Sequence, residues 1–161
     1  RMGIELINID DRLIHGQVAT SWVKKFNIES IIIVDDVAAK DPIQKKIAGL
    51  AVPGIQVNIF SVDKFLNILT KTTIKKRTML LFGNPINVLK VKKSGLIEMD
   101  YVNISGMRFN NDRTRLHKNV SVTEEERKDL EELIYKENVE VYAQTTTNDD
   151  KMNVKNLLEN K

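Results

Sequence analysis

Nine consecutive residues near the start of the chain bring together side chains that can do chemistry. They run from Asp10 to Val18 and read DDRLIHGQV, and they include His15, one of only two histidines in the sequence. An apolar strand pattern precedes them and an amphipathic helical pattern follows them. We therefore expect these residues to form a strand-to-helix loop, which is where parallel α/β proteins place their sites.

The residue types in this loop fit a histidine that carries a phosphoryl group. Gly16 leaves the backbone free to approach a ligand closely. The helix that begins near Gln17 directs its free N–H groups at the loop, which favours an anion there. The guanidinium of Arg12 matches phosphate with two parallel hydrogen bonds. We expect His15 to be the nucleophile and Arg12 to stabilise the charge on the transferred group.

The two carboxylates before Arg12 are expected to support this chemistry. A neutral His15 would attack phosphorus through one ring nitrogen while a hydrogen bond fixes the other, which sets the tautomer. Asp10, Asp11 or a backbone carbonyl could accept that bond, and the sequence leaves the choice open. At least one of the two aspartates is expected to cap the turn or to pair with Arg12.

Other motifs that carry chemistry are missing or isolated. The sequence has neither a GxGxxG nor a GxxxxGK[ST] pattern, so a dinucleotide or P-loop cofactor is not expected, and no other cofactor is predicted. With His117 far from His15 in sequence, a metal site is not predicted either. The pair Asp35-Asp36 ends a predicted strand, and we expect it to cap the following turn.

Composition limits the class of protein. A length of 161 residues suits one domain covering residues 1–161, and 42% hydrophobic with 29% charged residues is typical of a globular chain. There is no cysteine, which excludes disulfides and thiolate chemistry. No apolar run approaches the roughly 20 residues that span a bilayer. The net charge of +3 and 6% aromatic residues give little support to nucleic-acid binding. Arg1 before Met2 is expected to be a remnant of processing.

Strand and helix patterns alternate along the whole chain. The predicted strands cover residues 4–9, 30–35, 56–60, 78–82, 100–104, part of 115–122, and 139–143. Several are continuous apolar runs, which belong to strands that are covered on both faces. We therefore predict an α/β fold with a single doubly wound, mainly parallel open sheet of about seven strands and helices on both faces.

Three local predictions concern surfaces and caps. The helix that begins at Asp41-Pro42 is predicted to bury a stripe of Ile43, Ile47 and Leu50. The polar segment 108–115 is interpreted as an exposed loop. Residues 148–150 are predicted to cap the last helix, which buries Val154, Leu157 and Leu158.

The stretch DDRLIHGQV resembles the active-site signature of the mannose/fructose/sorbose-type IIB component of the bacterial sugar phosphotransferase system. Further similarities follow in the same order along the chain: 30–36, 39–53, 82–85, 103–107, 124–133 and Val139. The resemblance therefore covers essentially the whole chain. It departs from the family at Ser105, where a glycine is often found, and in the unusually polar segment 108–115.

The resemblance implies a function and a set of partners. His15 would be phosphorylated by a IIA component, with Arg12 assisting, and the phosphoryl group would pass to a sugar as the sugar crosses the membrane through IIC and IID. Both partners would dock over the His15 loop, with Lys24 and Lys25 on a mildly basic rim. The chain would be a stand-alone IIB component in the cytoplasm, associated with the membrane through IIC and IID. The identity of the sugar, the phosphorylated ring nitrogen and a homo-oligomer are left open.

Two alternatives belong to other classes of function. The same fold could serve as a phosphate- or nucleotide-sensing module that binds an anion without covalent chemistry. A weaker alternative is a basic RNA-interaction domain, whose affinity would fall steeply with salt.

Overall fold

Strand β1 lies in the middle of a parallel sheet and ends at the predicted site. A computed structural model describes residues 3–160, so the expectation about Arg1 lies outside the described residues. Within this range seven strands form one sheet in the order β3-β2-β4-β1-β5-β8-β9. The strands are β1 (Ile4–Asp10), β2 (Ser30–Val34), β3 (Gln56–Phe60), β4 (Thr78–Phe82), β5 (Tyr101–Gly106), β8 (Glu140–Ala143) and β9 (Met152–Asn153).

All strand pairs in this sheet are parallel except the last, β8 with β9. The helices are α1 (Gly16–Phe26), α2 (Pro42–Leu50), α3 (Val62–Lys71), α4 (Pro85–Ser94), α5 (Glu124–Glu131) and α6 (Val154–Glu159). The α/β class and the mainly parallel sheet predicted from the sequence are thus confirmed.

The sheet is covered on both faces. Helices α1 and α2 pack on one face through Trp22 and Ala48, and α3 to α6 cover the other face through side chains such as Phe65 and Leu130. Side chains alternate along β1, so that Leu6 packs on the face covered by α1 and α2, and Ile7 packs on the face covered by α3 to α6. This double cover explains why the strands read as continuous apolar runs.

Helices α2 and α4 begin as their sequences predict. The side chain of Asp41 accepts hydrogen bonds from the backbone of Ile43 and Gln44, and that of Asn84 accepts them from Ile86 and Asn87. A proline follows each cap at the first helical position. Thr123 and Glu126 form the predicted capping box of α5.

The predicted buried stripe of α2 is wrong. Ile43 is 69% exposed, Ile47 60% and Leu50 75%, and Ala48 is the residue that the helix buries. The small Ala48 side chain lets the helix lie close to the sheet, so the large aliphatic side chains face outward. The 3.6-residue period identified an apolar face, but it could not tell which face of the helix meets the core.

Two other predictions at the end of the chain need correction. The predicted sixth strand is a hairpin of β6 (Thr114–His117) and β7 (Val120–Val122), outside the main sheet. Residues 148–150 do not cap the last helix; Asn153, which ends the short strand β9, caps α6 through the backbone of Lys155. The helix does bury Val154 and Leu158.

Candidate phosphoryl-transfer site

Two backbone hydrogen bonds fix the loop where it leaves β1. The backbone N–H of Asp11 donates to the carbonyl of Gly106 at the end of β5, at 3.0 Å, and that of Leu13 donates to the carbonyl of Asp10 at 2.8 Å. Leu13 has a φ of +59°, in the left-handed region that a non-glycine residue rarely adopts. The surrounding structure therefore holds the loop in one tight turn that returns the chain towards α1.

Asp10 and His15 meet inside this turn. Nε2 of His15 lies 2.7 Å from Oδ2 of Asp10, whose side chain is 1% exposed, whereas the imidazole is 29% exposed. A carboxylate accepts only, so in the neutral imidazole Nε2 carries the proton and Nδ1 carries the free lone pair. Among residues 3–160, Nδ1 has no hydrogen-bond partner. Of the three acceptors that the sequence left open, Asp10 is the one that contacts the ring.

Arg12 shares the same carboxylate. Its backbone N–H and its Nε both donate to Oδ1 of Asp10, at 3.0 and 3.2 Å. The pairing of one aspartate with Arg12 is as predicted. Gly106 lies against this pair, since a Cβ there would be 3.2 Å from Nη2 of Arg12. With 37% of its side chain exposed, the guanidinium keeps donors free for an anion next to His15.

Helix α1 begins directly after His15. His15 occupies the N-cap position without a side-chain cap, and the first helical backbone bond runs from Ala19 N–H to the His15 carbonyl at 3.2 Å. The N–H groups of Gly16, Gln17 and Val18 are therefore available at the positive end of the helix dipole. A Cβ at Gly16 would meet nothing within 4 Å, so an anion has room to approach the backbone.

Asp11 turns away from His15 and binds two arginines of segment 108–115. It accepts hydrogen bonds from the backbone N–H and Nε of Arg108, at 2.9 and 3.0 Å, and from Nη1 of Arg113 at 2.8 Å. Burial alone would raise the pKa of Asp11, but the hydrogen bonds from Arg108 and Arg113 outweigh it and lower the pKa below its ordinary value. Asp11 is therefore an anchor for the loop rather than a partner of the imidazole.

Arg113 is a buried arginine at the centre of this anchor. Its side chain is 8% exposed, and it pairs with Glu126 of α5 through two bonds of 2.9 and 2.8 Å. Burial disfavours the charge, yet Glu126 and Asp11 together raise the pKa of Arg113 above its already high value. The interpretation of 108–115 as an exposed loop holds for Arg108 but not for Arg113. The position of this arginine-rich segment directly after β5, the neighbour of β1, was the signal that could have found it.

A buried polar cluster lies beneath the loop. Ser105 is 1% exposed, and its Oγ accepts hydrogen bonds from Nε1 of Trp22 at 3.1 Å and from Nδ2 of Asn8 at 2.9 Å. Asn103 donates to Oδ1 of Asn8 at 2.9 Å. The departure from the family at Ser105 therefore supports α1 from below and does not face the site.

A cavity of about 510 Å³ opens beside the loop. Its lining includes Arg12, Leu13, Asp35 and Arg108. Asp35 accepts a hydrogen bond from the backbone N–H of Ala38 at 2.8 Å and so caps the following turn, as predicted. Asp36 instead accepts from the backbone N–H of Val62 at 2.9 Å, at the start of α3, so the prediction is wrong for this residue.

The other sequence candidates do not join the site. His117 ends β6 and lines a separate cavity of about 160 Å³ with Gln144 and Asp149. In the described part of the chain, no three His, Asp or Glu side chains are grouped so as to hold a metal ion. None of the helices within residues 3–160 is long and apolar enough to cross a membrane.

Comparison with known proteins gives the same family over the whole chain. The sorbose subfamily of phosphotransferase-system IIB components matches residues 4–161. The mannose-specific EIIAB component of Escherichia coli is 35% identical over 98% of this chain, which spans about half (49%) of that relative's length. The fructose-specific EIIB component of Bacillus subtilis is 38% identical over 82% of each chain.

A solved structure agrees. The IIBSor domain of the sorbose permease from Klebsiella pneumoniae superposes with a TM-score of 0.89 at 30% identity, covering 99% of this chain and 98% of that one. Sequence and fold together confirm the predicted resemblance, and the chain belongs to the sorbose subfamily of phosphotransferase-system IIB components.

Proposed function

We propose that the chain accepts a phosphoryl group on Nδ1 of His15 and passes it to a sugar. The observation that carries this proposal is the 2.7 Å contact between Nε2 of His15 and the buried carboxylate of Asp10. Because that contact holds the proton on Nε2, the lone pair on Nδ1 is free for attack without a base. The sequence left open which ring nitrogen is phosphorylated, and we assign the phosphoryl group to Nδ1.

Transfer proceeds in line between the donor and His15. The Nδ1–phosphorus bond forms while the bond between phosphorus and the donor's leaving atom breaks, and no proton moves on His15 because Nε2 keeps its hydrogen. Arg12 and the N–H groups at the start of α1 stabilise the charge on the equatorial oxygens. In the second half of the cycle a sugar hydroxyl attacks phosphorus, the Nδ1–phosphorus bond breaks, and the hydroxyl proton is released.

Membership in the family supports the choice of partners. The donor is a IIA component, and the acceptor is a sugar held by the membrane subunits IIC and IID. The chain works at the cytoplasmic face of the membrane, where both partners can reach His15. The site residues are His15 and Arg12, with Asp10, Asp11, Gly16 and Gln17 in support.

Intact-mass spectrometry tests the proposal after incubation with phosphoenolpyruvate, enzyme I, HPr and a mannose-type IIA component. We expect a gain of one phosphoryl group that is stable in alkali, lost in acid and absent from His15→Ala. His117→Ala is the matched control and should label normally, because His117 lies in a separate cavity. ³¹P NMR of the alkaline sample should report Nδ1-phosphohistidine.

Other outcomes would contradict the proposal. Normal labelling of His15→Ala would remove His15 from the reaction, and an Nε2-phosphohistidine would contradict the role given to Asp10. Reversible phosphate binding without a phosphoenzyme would favour the sensing module instead.

A further inference from the structure

The outward face of α2 carries an apolar surface that the fold does not use. Val37, Ile43, Ile47 and Leu50 are 75%, 69%, 60% and 75% exposed, and we call these four residues the apolar ridge. Ile43, Ile47 and Leu50 share one side of the helix, since they are four and three residues apart. Exposed aliphatic side chains that cluster in this way mark an interaction surface.

The apolar ridge is continuous with the phosphoryl-transfer loop. Val37 lines the 510 Å³ cavity together with Arg12 and Arg108. Ile47 lines a second cavity, of about 190 Å³, together with Leu13 and Ile14. Any protein that brings a phosphorylated side chain to His15 must cover the loop, and its surface would then extend over the neighbouring ridge.

The charged residues around the apolar ridge help to decide which kind of partner binds there. Lys46 lies beside it, three residues after Ile43 and four before Leu50, and the exposed Lys40 precedes the helix. Arg108, with 64% of its side chain exposed, lies towards the loop. A second copy of the chain would bring two sets of lysines together, which is unfavourable. An anionic membrane surface would not present a phosphorylated side chain to His15.

We propose that the apolar ridge is the docking surface for the phosphoryl donor, a IIA component whose contact face has an apolar centre and an acidic rim. This inference rests on the proposed function, because it assumes that a protein donor delivers the phosphoryl group. A patch of only four aliphatic side chains gives modest affinity, which suits a donor that must leave after each transfer.

The test compares two donors on the same variant. In Ile43→Ser/Ile47→Ser both side chains are already exposed, so the fold should be retained. With a phosphorylated mannose-type IIA component, we expect KM for the donor to rise at least about tenfold while the maximal rate stays the same. With phosphoramidate, a small donor that needs no docking surface, labelling of His15 should be unchanged.

Charge reversal and a remote variant supply the controls. Lys46→Glu should raise KM for the IIA donor most at low salt, because charge at the rim is screened by ions. Tyr135→Ser is the matched control, since Tyr135 is 49% exposed but lies beyond α5 and bonds to Glu159 of α6. Its KM should equal that of the unmodified chain.

Each of the following results would overturn the inference, and each shows whether the proposed function fails with it. An unchanged KM in Ile43→Ser/Ile47→Ser means that the donor docks elsewhere, although the proposed function stands. A loss of phosphoramidate labelling means that the variant disturbs the loop itself. A defect confined to transfer onto sugar in membrane vesicles assigns the ridge to the membrane subunits, and a self-associating chain that the variant dissociates assigns it to a second copy. If neither donor labels the unmodified chain, the proposed function fails as well.

Discussion

At the scale of single residues, one buried carboxylate organises the site. Asp10 accepts from His15 with one oxygen and from Arg12 mainly with the other, at 2.7 and 3.2 Å. His15 and Arg12, which we propose as the nucleophile and the cation that faces the phosphoryl group, are therefore positioned together. Because Asp10 is 1% exposed, water competes little for these bonds, and both side chains keep the orientation that transfer requires.

We predict that Asp10→Asn slows phosphorylation of His15 by roughly 100-fold or more, the magnitude of a positioned proton-holding group. An amide can donate to Nε2, which would place the proton on Nδ1 and block attack. Rapid-quench measurement of acid-labile label from the IIA donor checks the rate. Urea unfolding of the same variant separates loss of positioning from loss of fold. A rate equal to that of the unmodified chain would contradict the role of Asp10.

Asp11 gives a prediction about pH. Its folded pKa is lowered below the ordinary value of about 4, so it contributes stability that is fully present above about pH 4 and is lost as the pH falls through the folded pKa. Asp11→Asn removes the negative charge and replaces one of the two oxygens that accept from Arg108 and Arg113 by a donor, and it should lower the free energy of unfolding by about 1–3 kcal/mol at neutral pH.

Urea unfolding of the unmodified chain and of Asp11→Asn at pH 7, 5 and 3 measures this difference. We expect it to be constant between pH 7 and 5 and to shrink at pH 3, where the aspartate of the unfolded chain takes up a proton. A difference that is the same at all three values would show that the loss comes from packing alone.

At the scale of elements, the end of β5 determines how closely the loop after β1 can pack. A Cβ at Gly106 would lie 3.2 Å from Nη2 of Arg12 and 3.6 Å from Oδ1 of Asp10. The closest atom is the far end of a flexible side chain, so Arg12 can move aside. Gly106 has no positive φ, and the backbone therefore tolerates alanine.

Gly106→Ala should consequently separate activity from stability. We expect a loss of less than about 1 kcal/mol in the free energy of unfolding. The rate of phosphorylation should fall roughly tenfold, since misplacing a charged group by a fraction of an ångström weakens its contact with the transferred phosphoryl. A double-mutant cycle with Arg12→Lys checks the cause. Additive losses would show that Gly106 acts without Arg12.

The outward face of α2 shows that the spacing of apolar residues within one helix does not determine which side of the helix packs against the sheet. Full burial of an Ile or Leu side chain is worth about 1.5–3 kcal/mol, and three such side chains leave this contribution unused. Ala48 is the residue of α2 that is buried against the sheet. The spacing of Ile43, Ile47 and Leu50 predicted an apolar face correctly, but the orientation of that face depends on which side chain fits closest to the sheet.

At the scale of the whole molecule, the features that could be predicted from the sequence are those that depend on residues close together along the chain. The order of strands and helices, the caps at Asp41, Asn84 and Thr123, and the loop of His15 all follow from local patterns. What the sequence could not predict depends on residues that are distant in sequence. The contact of Arg113 with Asp11 joins residues 102 positions apart, and Ser105 reaches Trp22 across 83. Strand β9, two residues long, has no pattern of its own to detect.

The central position of β1 has a consequence for the chain during its synthesis. Residues 4–10 leave the ribosome before the strands that flank them in the sheet, which are residues 78–82 and 101–106. At a translation rate of about 5–20 residues per second, the acceptor histidine waits on the order of ten seconds before Gly106 and Arg113 exist to hold its loop. His15 is thus made well before the residues that hold its loop, so the loop can reach its final geometry only after β5 and the segment that follows it have been added.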